Sequence, residues 1–212
     1  MEIYWLGHGC FRLRGRDATV ITDPCAPATG YKIGKLTADI ITVSSTNPQT
    51  SYRQAVTGTP KVLSGPGEYE ISGTMITALR TNHDPDATEQ DRNVAFVLEI
   101  DDVRICHLGA LKAAPSSDDV EALSGADVLI VPVGGGSVLS AAAAAEVVSR
   151  LEPKIVIPMM FKTDSSTATD LDTVDKFLKE MGTEGKQPET RLTVTRSSVP
   201  DDTTVVLLNY RS

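Results

Sequence analysis

Two nearly continuous apolar runs in the second half of the chain constrain its fold more than any other feature. The runs Asp127–Val133 and Ile155–Met159 lack the alternation of a strand with one face in water, so each is predicted to be a strand buried on both faces. Between them, a helix is predicted from Ser140 to Leu151, because its apolar residues recur on one face. This strand–helix–strand unit predicts a sheet with helices packed against it.

The first half of the chain is predicted to be rich in strands instead. Apolar alternation and turn residues place strands at Glu2–Leu6, Cys10–Leu13, Thr19–Thr22, Ile40–Val43, Lys61–Leu63, Glu68–Ile71, Thr74–Arg80, Asn93–Ile100 and Val103–Cys106. The second half adds a capped helix that ends at Gly125 and a helix from Thr167 to Gly182. Two closing strands are predicted at Arg191–Thr195 and Thr203–Leu208.

The composition is typical of a folded globular protein, with 41% hydrophobic and 23% charged residues. We predict one domain, residues 1–212, made of a β-rich half (1–110) and an α/β half (111–212). The net charge of −8 would repel phosphate backbones, so nucleic acid is not an expected partner. No apolar run approaches the roughly 18 residues that cross a bilayer, and the first residues lack signal-peptide features. A cytoplasmic protein without a membrane partner is therefore expected.

The cysteines give little indication of chemistry. Cys10, Cys25 and Cys106 form no CxxC pair and are odd in number. We predict three buried thiols in a reducing compartment. A catalytic thiol paired with His8 or His107 stays open as an alternative, although nothing in the spacing favours it.

Six segments follow one another in an order typical of one protein family. They are Tyr4–Phe11 (YWLGHGCF), Thr22–Pro24 (TDP), Gly65–Glu70 (GPGEYE), Ile105–Gly109 (ICHLG), Val131–Gly135 (VPVGG) and Lys154–Met159 (KIVIPM). This series resembles the small Zn-dependent-hydrolase-like branch of the metallo-β-lactamase superfamily, which includes ascorbate-6-phosphate lactonase-like proteins. The resemblance implies an α/β fold (α+β by some schemes), namely a four-layer αβ/βα sandwich of two mixed sheets flanked by helices. It also implies a metal site at one edge of the sandwich.

The residues with which that family holds zinc are replaced at most positions. The resemblance aligns the family signature H-x-H-x-D-H with residues 45–50, the bridging aspartate with residue 110 and the last histidine with residue 160. In this register the ligand positions are Ser45, Asn47, Gln49, Thr50, His83, Ala110 and Met160. His83 alone keeps the residue type that the family uses.

These replacements predict that the standard two-metal site is lost. Zinc needs three or four nitrogen, sulfur or oxygen donors at about 2.0–2.3 Å, and hydroxyls, amides and a thioether are poor donors for it. Without the ion there is no metal-bound hydroxide at neutral pH. We therefore expect a degenerate motif, no cofactor and a non-catalytic pseudoenzyme. Its expected partner is a small molecule or another protein, with a homo-oligomer as one option.

The alternative hypothesis is a hydrolase of the lactonase, esterase or phosphodiesterase type with a non-standard site. It would use zinc relocated to His8, Asp23, His83 and Asp84, or acid–base chemistry without a metal. His107 could act as a base with a pKa near 6.5, but no hydroxyl nucleophile adjoins it in the sequence. The catalytic candidates under this hypothesis are the three histidines and Asp23.

Two other segments share single features with known active sites. Ser44 and Ser45 lack the G-x-S-x-G elbow in which a serine nucleophile is activated. The run Gly134–Gly136 follows a buried strand, where glycine would let backbone N–H groups approach an anion. It matches neither the dinucleotide-binding motif nor the P-loop, so a turn is predicted there.

Overall fold

The computed structural model of the protein describes residues 1–81, 86, 88 and 91–210. These residues form strands and three α-helices. In chain order the elements are β1 (Glu2–Gly7), β2 (Cys10–Arg14), β3 (Thr19–Thr22), β4 (Leu36–Thr37), β5 (Ile40–Thr42), β6 (Val56–Thr57), β7 (Lys61–Leu63), β8 (Gly67–Ile71), β9 (Thr74–Arg80), β10 (Val94–Ile100), β11 (Val103–His107), α1 (Ser117–Leu123), β12 (Val128–Pro132), α2 (Ala141–Leu151), β13 (Ile155–Met159), α3 (Asp175–Glu180), β14 (Leu192–Thr193) and β15 (Thr204–Val205).

The strands form two mixed sheets, as predicted. The strand order is β14-β1-β2-β3-β5-β7 in the first sheet and β15-β13-β12-β11-β10-β9-β8 in the second, while β4 and β6 pair separately. In the first sheet, β3, β5 and β7 are parallel. In the second, β11, β12, β13 and β15 are parallel. The carboxyl ends of these parallel strands form the edge at which the functional residues lie.

The strand–helix–strand unit of the second half has the predicted form. Strands β12 and β13 are buried along their whole length. The side chain of Ser140 accepts a hydrogen bond from Ala143 N and so caps α2. The apolar face of α2, which includes Val147 and Leu151, belongs to the same buried cluster as the strands. Burial on both faces explains why the sequence of these strands does not alternate.

The main hydrophobic core joins the two sheets. Phe11 and Leu13 of β2 belong to one buried cluster with Phe96 of β10 and Ile105 of β11. A second cluster, which includes Ile21, covers the other face of the first sheet. This face is packed against the segment that carries β4 and β6 rather than against a long helix. The three cysteines are free and buried, which confirms the predicted burial.

The third helix is shorter than predicted. It spans Asp175–Glu180 and does not begin at Thr167. Before it, Thr167 N donates to Thr29 O at 3.1 Å, and Asp172 N donates to Gly134 O at 2.7 Å. In a helix that begins at Thr167, the N–H of Asp172 would bind the carbonyl of Ala168, so its bond to Gly134 excludes the predicted start. The closing strands are also reduced, to the two residues each of β14 and β15.

The Gly134–Gly136 segment is a turn, as predicted. Gly135 N donates to Leu139 O at 2.8 Å, and Val138 N donates to Gly135 O at 3.0 Å. The Gly135 N–H is therefore used inside the turn and does not face an anion. In the described part of the chain, no helix combines the length and the apolar character that crossing a bilayer requires.

Candidate functional site

Residues from four loops meet at the edge formed by the strand ends. His8 and Gly9 form the turn between β1 and β2, and Asp23 directly follows β3. Ser44 comes shortly after β5, and Met160 directly follows β13. We call these five residues the edge cluster. They include two of the residues predicted as alternative ligands and one predicted vestigial ligand position.

Close contacts hold the edge cluster together. Met160 N donates to His8 O at 3.3 Å. A Cβ atom added at Gly9 would lie 2.4 Å from Cε of Met160 and 3.5 Å from Oδ2 of Asp23. Loops from the two sheets therefore approach each other closely at Gly9, and a side chain at this position would displace Met160.

Asp23 is a buried carboxyl group with two hydrogen bonds from one residue. Its side chain accepts from Ser44 N at 2.7 Å through Oδ1 and from the Ser44 hydroxyl at 2.6 Å through Oδ2. Burial raises the pKa of Asp23 from 3.8 to about 7, although both hydrogen bonds from Ser44 oppose the rise. Burial therefore favours the protonated form of this carboxyl group far more than in an exposed aspartate.

Removal of the Ser44 hydroxyl tests how burial and hydrogen bonding together set the pKa of Asp23. The hydroxyl favours the charged form of Asp23 by donating to it, so Ser44→Ala is expected to raise the pKa of Asp23 further. Carboxyl ¹³C chemical shifts followed through a pH titration measure the change. Ser45→Ala is the control, because the Ser45 hydroxyl bonds to Thr50. A lower or unchanged pKa in Ser44→Ala would contradict the role assigned to the hydroxyl.

His8 is the half-buried member of the edge cluster. Its carbonyl oxygen accepts from Trp5 Nε1 at 2.9 Å, in addition to Met160 N. Burial lowers the pKa of His8 from 6.5 to about 4, and the negative charge of Asp170 raises it by less. The imidazole is therefore neutral at neutral pH and can both donate and accept a hydrogen bond.

His107 lies at the end of β11 and is fully buried. Its Nε2 is 3.1 Å from Gly9 O, and Gly109 N donates to its Nδ1 at 3.2 Å. Burial lowers the pKa of His107 to about 4, against the hydrogen bond to Gly9, which raises it. The ring is therefore neutral and engaged on both sides, so the geometry does not make it a free base.

The segment aligned with the family's metal signature forms hydrogen bonds within itself. Ser45 Oγ and Thr50 Oγ1 are 2.9 Å apart, and Gln49 N donates to Asn47 Oδ1 at 2.9 Å. Ser45 and Thr50 are buried, whereas Asn47 and Gln49 are exposed. The four side chains therefore do not converge on one point, as ligands of a single ion would.

Two other positions that the resemblance aligns with family ligands, Ala110 and Met160, have different surroundings. Ala110 N donates to Asn93 Oδ1 at 2.8 Å, and the buried Asn93 also donates to Leu108 O at 2.9 Å. Met160 is fully buried. His83 and Asp84 lie outside the described residues. Asn93 was not predicted as a site residue. Its one signal in the sequence is that it is a polar residue at the start of an apolar strand.

A cleft lies beside residues 45–50 and Ala110. Its outer part, of about 590 Å³, is lined by residues 46–48 together with Asp91 and Lys112. An inner part of about 90 Å³ reaches Asn93 and Ala110 and shares Asp91 and Lys112 with the outer part. Lys112 Nζ is 3.2 Å from Asp91 Oδ1 where the two parts meet. The cleft could therefore admit a small polar molecule beside residues 46–48.

The described residues do not fit the metal centre that the resemblance implies. No group of three or more His, Cys, Asp or Glu side chains among them could hold an ion. Both oxygens of Asp23 are bound by Ser44, and both ring nitrogens of His107 are engaged.

Comparisons with known proteins identify relatives along nearly the whole chain. The sequence model of the β-lactamase superfamily domain matches residues 2–160. A UPF0173 protein of Pyrococcus furiosus is 27% identical in an alignment 202 positions long, which covers 85% of this chain and 90% of the relative. A UPF0173 metal-dependent hydrolase of Salinibacter ruber is 24% identical, over 86% of this chain and 94% of its own.

A solved structure is similar to the protein over almost its full length. It is a Thermotoga maritima protein assigned to the Zn-dependent hydrolases of the metallo-β-lactamase superfamily. The two chains are 33% identical, with a TM-score of 0.82 and coverage of 98% of this chain and 97% of the other. This similarity confirms the predicted sandwich. The narrower resemblance to ascorbate-6-phosphate lactonase-like proteins is not confirmed.

The names of these relatives correct the main functional prediction. Proteins that align with over four fifths of the chain are metal-dependent hydrolases by name, and the similar solved structure is assigned to Zn-dependent hydrolases. The prediction of a pseudoenzyme with a degenerate motif is therefore wrong, and the expectation of no cofactor conflicts with the metal in those names. Replacement of the standard metal ligands is therefore not sufficient evidence that hydrolytic chemistry has been lost.

Proposed function

Because the chain belongs to the metallo-β-lactamase superfamily, we propose that it is a hydrolase whose reaction site is the edge cluster. The relatives named metal-dependent hydrolases support this class of reaction. The expected substrates are small esters, lactones or phosphodiesters, which a cleft lined by residues 46–48, Asp91 and Lys112 is large enough to admit.

The convergence of strained backbone at one place carries the proposal. His8, Asp23 and Met160 have φ angles of 52°, 36° and 53°, although none of them is glycine. Each such residue costs about 1–3 kcal/mol and persists where the surrounding structure enforces it, which is typical of active sites. The three belong to different loops and meet around Gly9.

Asp23 can serve as the group that holds and releases a proton. A pKa of about 7 suits acid–base catalysis at neutral pH, because neither protonation state is rare. The backbone N–H and hydroxyl of Ser44 fix the orientation of the carboxyl group.

His8 is the most exposed residue of the edge cluster. Its side chain is half-buried, whereas Asp23 and Met160 are buried. A neutral imidazole can donate a hydrogen bond to the developing negative charge on a carbonyl or phosphoryl oxygen. His8 would therefore orient and polarise the bond that Asp23 helps to break.

Hydrolysis assays on variants of the edge cluster test the proposal. A panel of p-nitrophenyl esters, lactones and phosphodiesters would be assayed with a chelator and with added zinc, manganese or iron. We expect His8→Ala to lower kcat/KM by about 10²-fold while Tm changes little. Lys32→Ala, at an exposed position, is the control. No hydrolysis above background under any condition would overturn the proposal.

The same assays distinguish the two forms of the alternative hypothesis. If a relocated zinc ion performs the reaction, His83→Ala and the chelator both abolish activity, and the purified protein carries zinc. If Asp23 and His8 act without a metal, activity survives the chelator and His83→Ala. Elemental analysis of protein purified without chelator supplies the metal content independently of activity.

A further inference from the structure

The geometry around His107 allows one protonation form. Gly9 O can only accept a hydrogen bond, so the Nε2 atom 3.1 Å away must carry the hydrogen. Gly109 N–H can only donate, so the Nδ1 atom 3.2 Å away must present its lone pair. The neutral ring with its hydrogen on Nε2 satisfies both contacts. Either other form would place two donors or two acceptors against each other.

The ring joins two turns that belong to different sheets. Gly9 lies between β1 and β2 of the first sheet, while Gly109 follows β11 of the second. Phe11 packs edge-on against the ring with centroids 6.0 Å apart, which fixes its plane. His107 therefore sets the separation and orientation of the two turns from behind the edge cluster.

Both turns touch the surroundings of Asp23. A Cβ atom at Gly9 would lie 3.5 Å from Asp23 Oδ2. A Cβ atom at Gly109 would lie 2.5 Å from Cβ of Ser44, and Ser44 donates both hydrogen bonds to Asp23. A shift of either turn would therefore move a direct neighbour of the carboxyl group.

We infer that His107 is a positioning residue, which fixes the His8–Gly9 turn and the Ser44 contact through one tautomer. Its effect on catalysis rests on the proposed function, whereas its tautomer and its hold on the turn do not. Thr22 Oγ1 also donates to Gly9 O, at 3.0 Å. Loss of the ring would therefore loosen the turn without releasing it, and the protein would stay folded.

Nuclear magnetic resonance tests the inference without any substrate. The ¹⁵N shifts of His107 at pH 7 are expected to show a protonated Nε2 and an unprotonated Nδ1. Amide hydrogen exchange at His8 and Gly9 is expected to be faster in His107→Leu than in the unmodified protein. A hydrogen on Nδ1, or unchanged exchange in His107→Leu, would overturn the inference.

Kinetics on matched variants test the catalytic part. A displacement of about 1 Å can lower a rate by about 10²-fold, so His107→Leu should lower kcat by about 10- to 100-fold with little change in KM. His107→Gln, which can donate and accept, should recover most of the rate. Cys106→Ala, a buried neighbour on the same strand, is the control for lost stability.

The outcomes separate this inference from the proposed function. If kcat falls equally in His107→Leu and Cys106→Ala, or His107→Gln recovers nothing, His107 does not position the site. If the unmodified protein hydrolyses nothing, the proposed function fails. In that case the tautomer and the exchange rates still decide whether His107 holds the turn.

Discussion

Replacement of Asp23 by asparagine is expected to remove hydrolase activity and, at pH 8, to make the protein more stable. Asparagine keeps the shape of the side chain and can still accept from Ser44 N and donate to the Ser44 oxygen. It cannot exchange a proton, so kcat/KM should fall by about 10²- to 10⁴-fold. It also carries no charge, so the cost of burying a carboxylate disappears.

The sign of the stability change follows from the two pKa values of Asp23. The value is about 7 in the folded protein and 3.8 ordinarily. Between these values the folded state holds a proton that the unfolded state has released, so stability falls as pH rises. The full cost, roughly 4 kcal/mol, is present above pH 7 and absent below pH 4. Asp23→Asn should therefore be stabilising at pH 8 and nearly neutral at pH 4.

Denaturant unfolding at pH 4, 6 and 8 measures this difference. His8 and His107, whose pKa values are lowered to about 4, titrate in both proteins, so their contributions cancel in the comparison. Asp39→Asn is the matched control, because Asp39 accepts from Thr19 N at the opposite end of β3. Equal stability of Asp23→Asn and the unmodified protein at every pH would show that burial of the charged carboxyl group does not destabilise the folded protein.

Sequence patterns were sufficient for the elements whose burial is uniform. Strands β12 and β13 and helix α2 were predictable because continuous apolar runs and a capping serine are local signals. The start of α3 was not predictable, because Thr167 and Asp172 bond to residues distant in the chain. Tertiary hydrogen bonds of this kind leave no local pattern.

The candidate site was predictable in its members but not in its chemistry. His8 and Asp23 were candidates because of their place in family segments, and the structure brings both to the edge cluster. The raised pKa of Asp23 comes from burial by several loops, which a sequence does not reveal. Ser44 was considered as a nucleophile, whereas the structure shows it as the hydrogen-bond partner of Asp23.

The role of His107 also depends on contacts that the sequence does not show. The sequence offers a histidine at the end of a strand, and such a residue can be a base, a ligand or a buried structural group. The positions of Gly9 O and Gly109 N decide among these roles. One of those partners is 98 residues away along the chain. A motif therefore identifies the residue, while its function depends on contacts formed by the fold.

Gly134→Ala is expected to destabilise the protein strongly, because no space exists for a methyl group. A Cβ atom there would lie 2.1 Å from the backbone oxygen of Met160 and 3.1 Å from Cδ2 of Leu171. Backbone atoms cannot move aside as a flexible side chain can, so β13 and the turn must separate. We expect a loss of roughly 3 kcal/mol, which corresponds to a decrease in Tm of roughly 6–12 °C for a domain of this size.

The clash would also reach the edge cluster, because Met160 holds the His8 carbonyl through its backbone N–H. Hydrolase activity should therefore fall more in Gly134→Ala than its folded fraction accounts for. Gly65→Ala is the control, since the nearest atom to its Cβ would be the flexible Arg92 Nη2 at 3.4 Å. Thermal unfolding of the two variants measures the difference in their Tm values. Equal Tm values would mean that Met160 can shift freely, and the strained backbone at the edge cluster would then not be enforced by its packing.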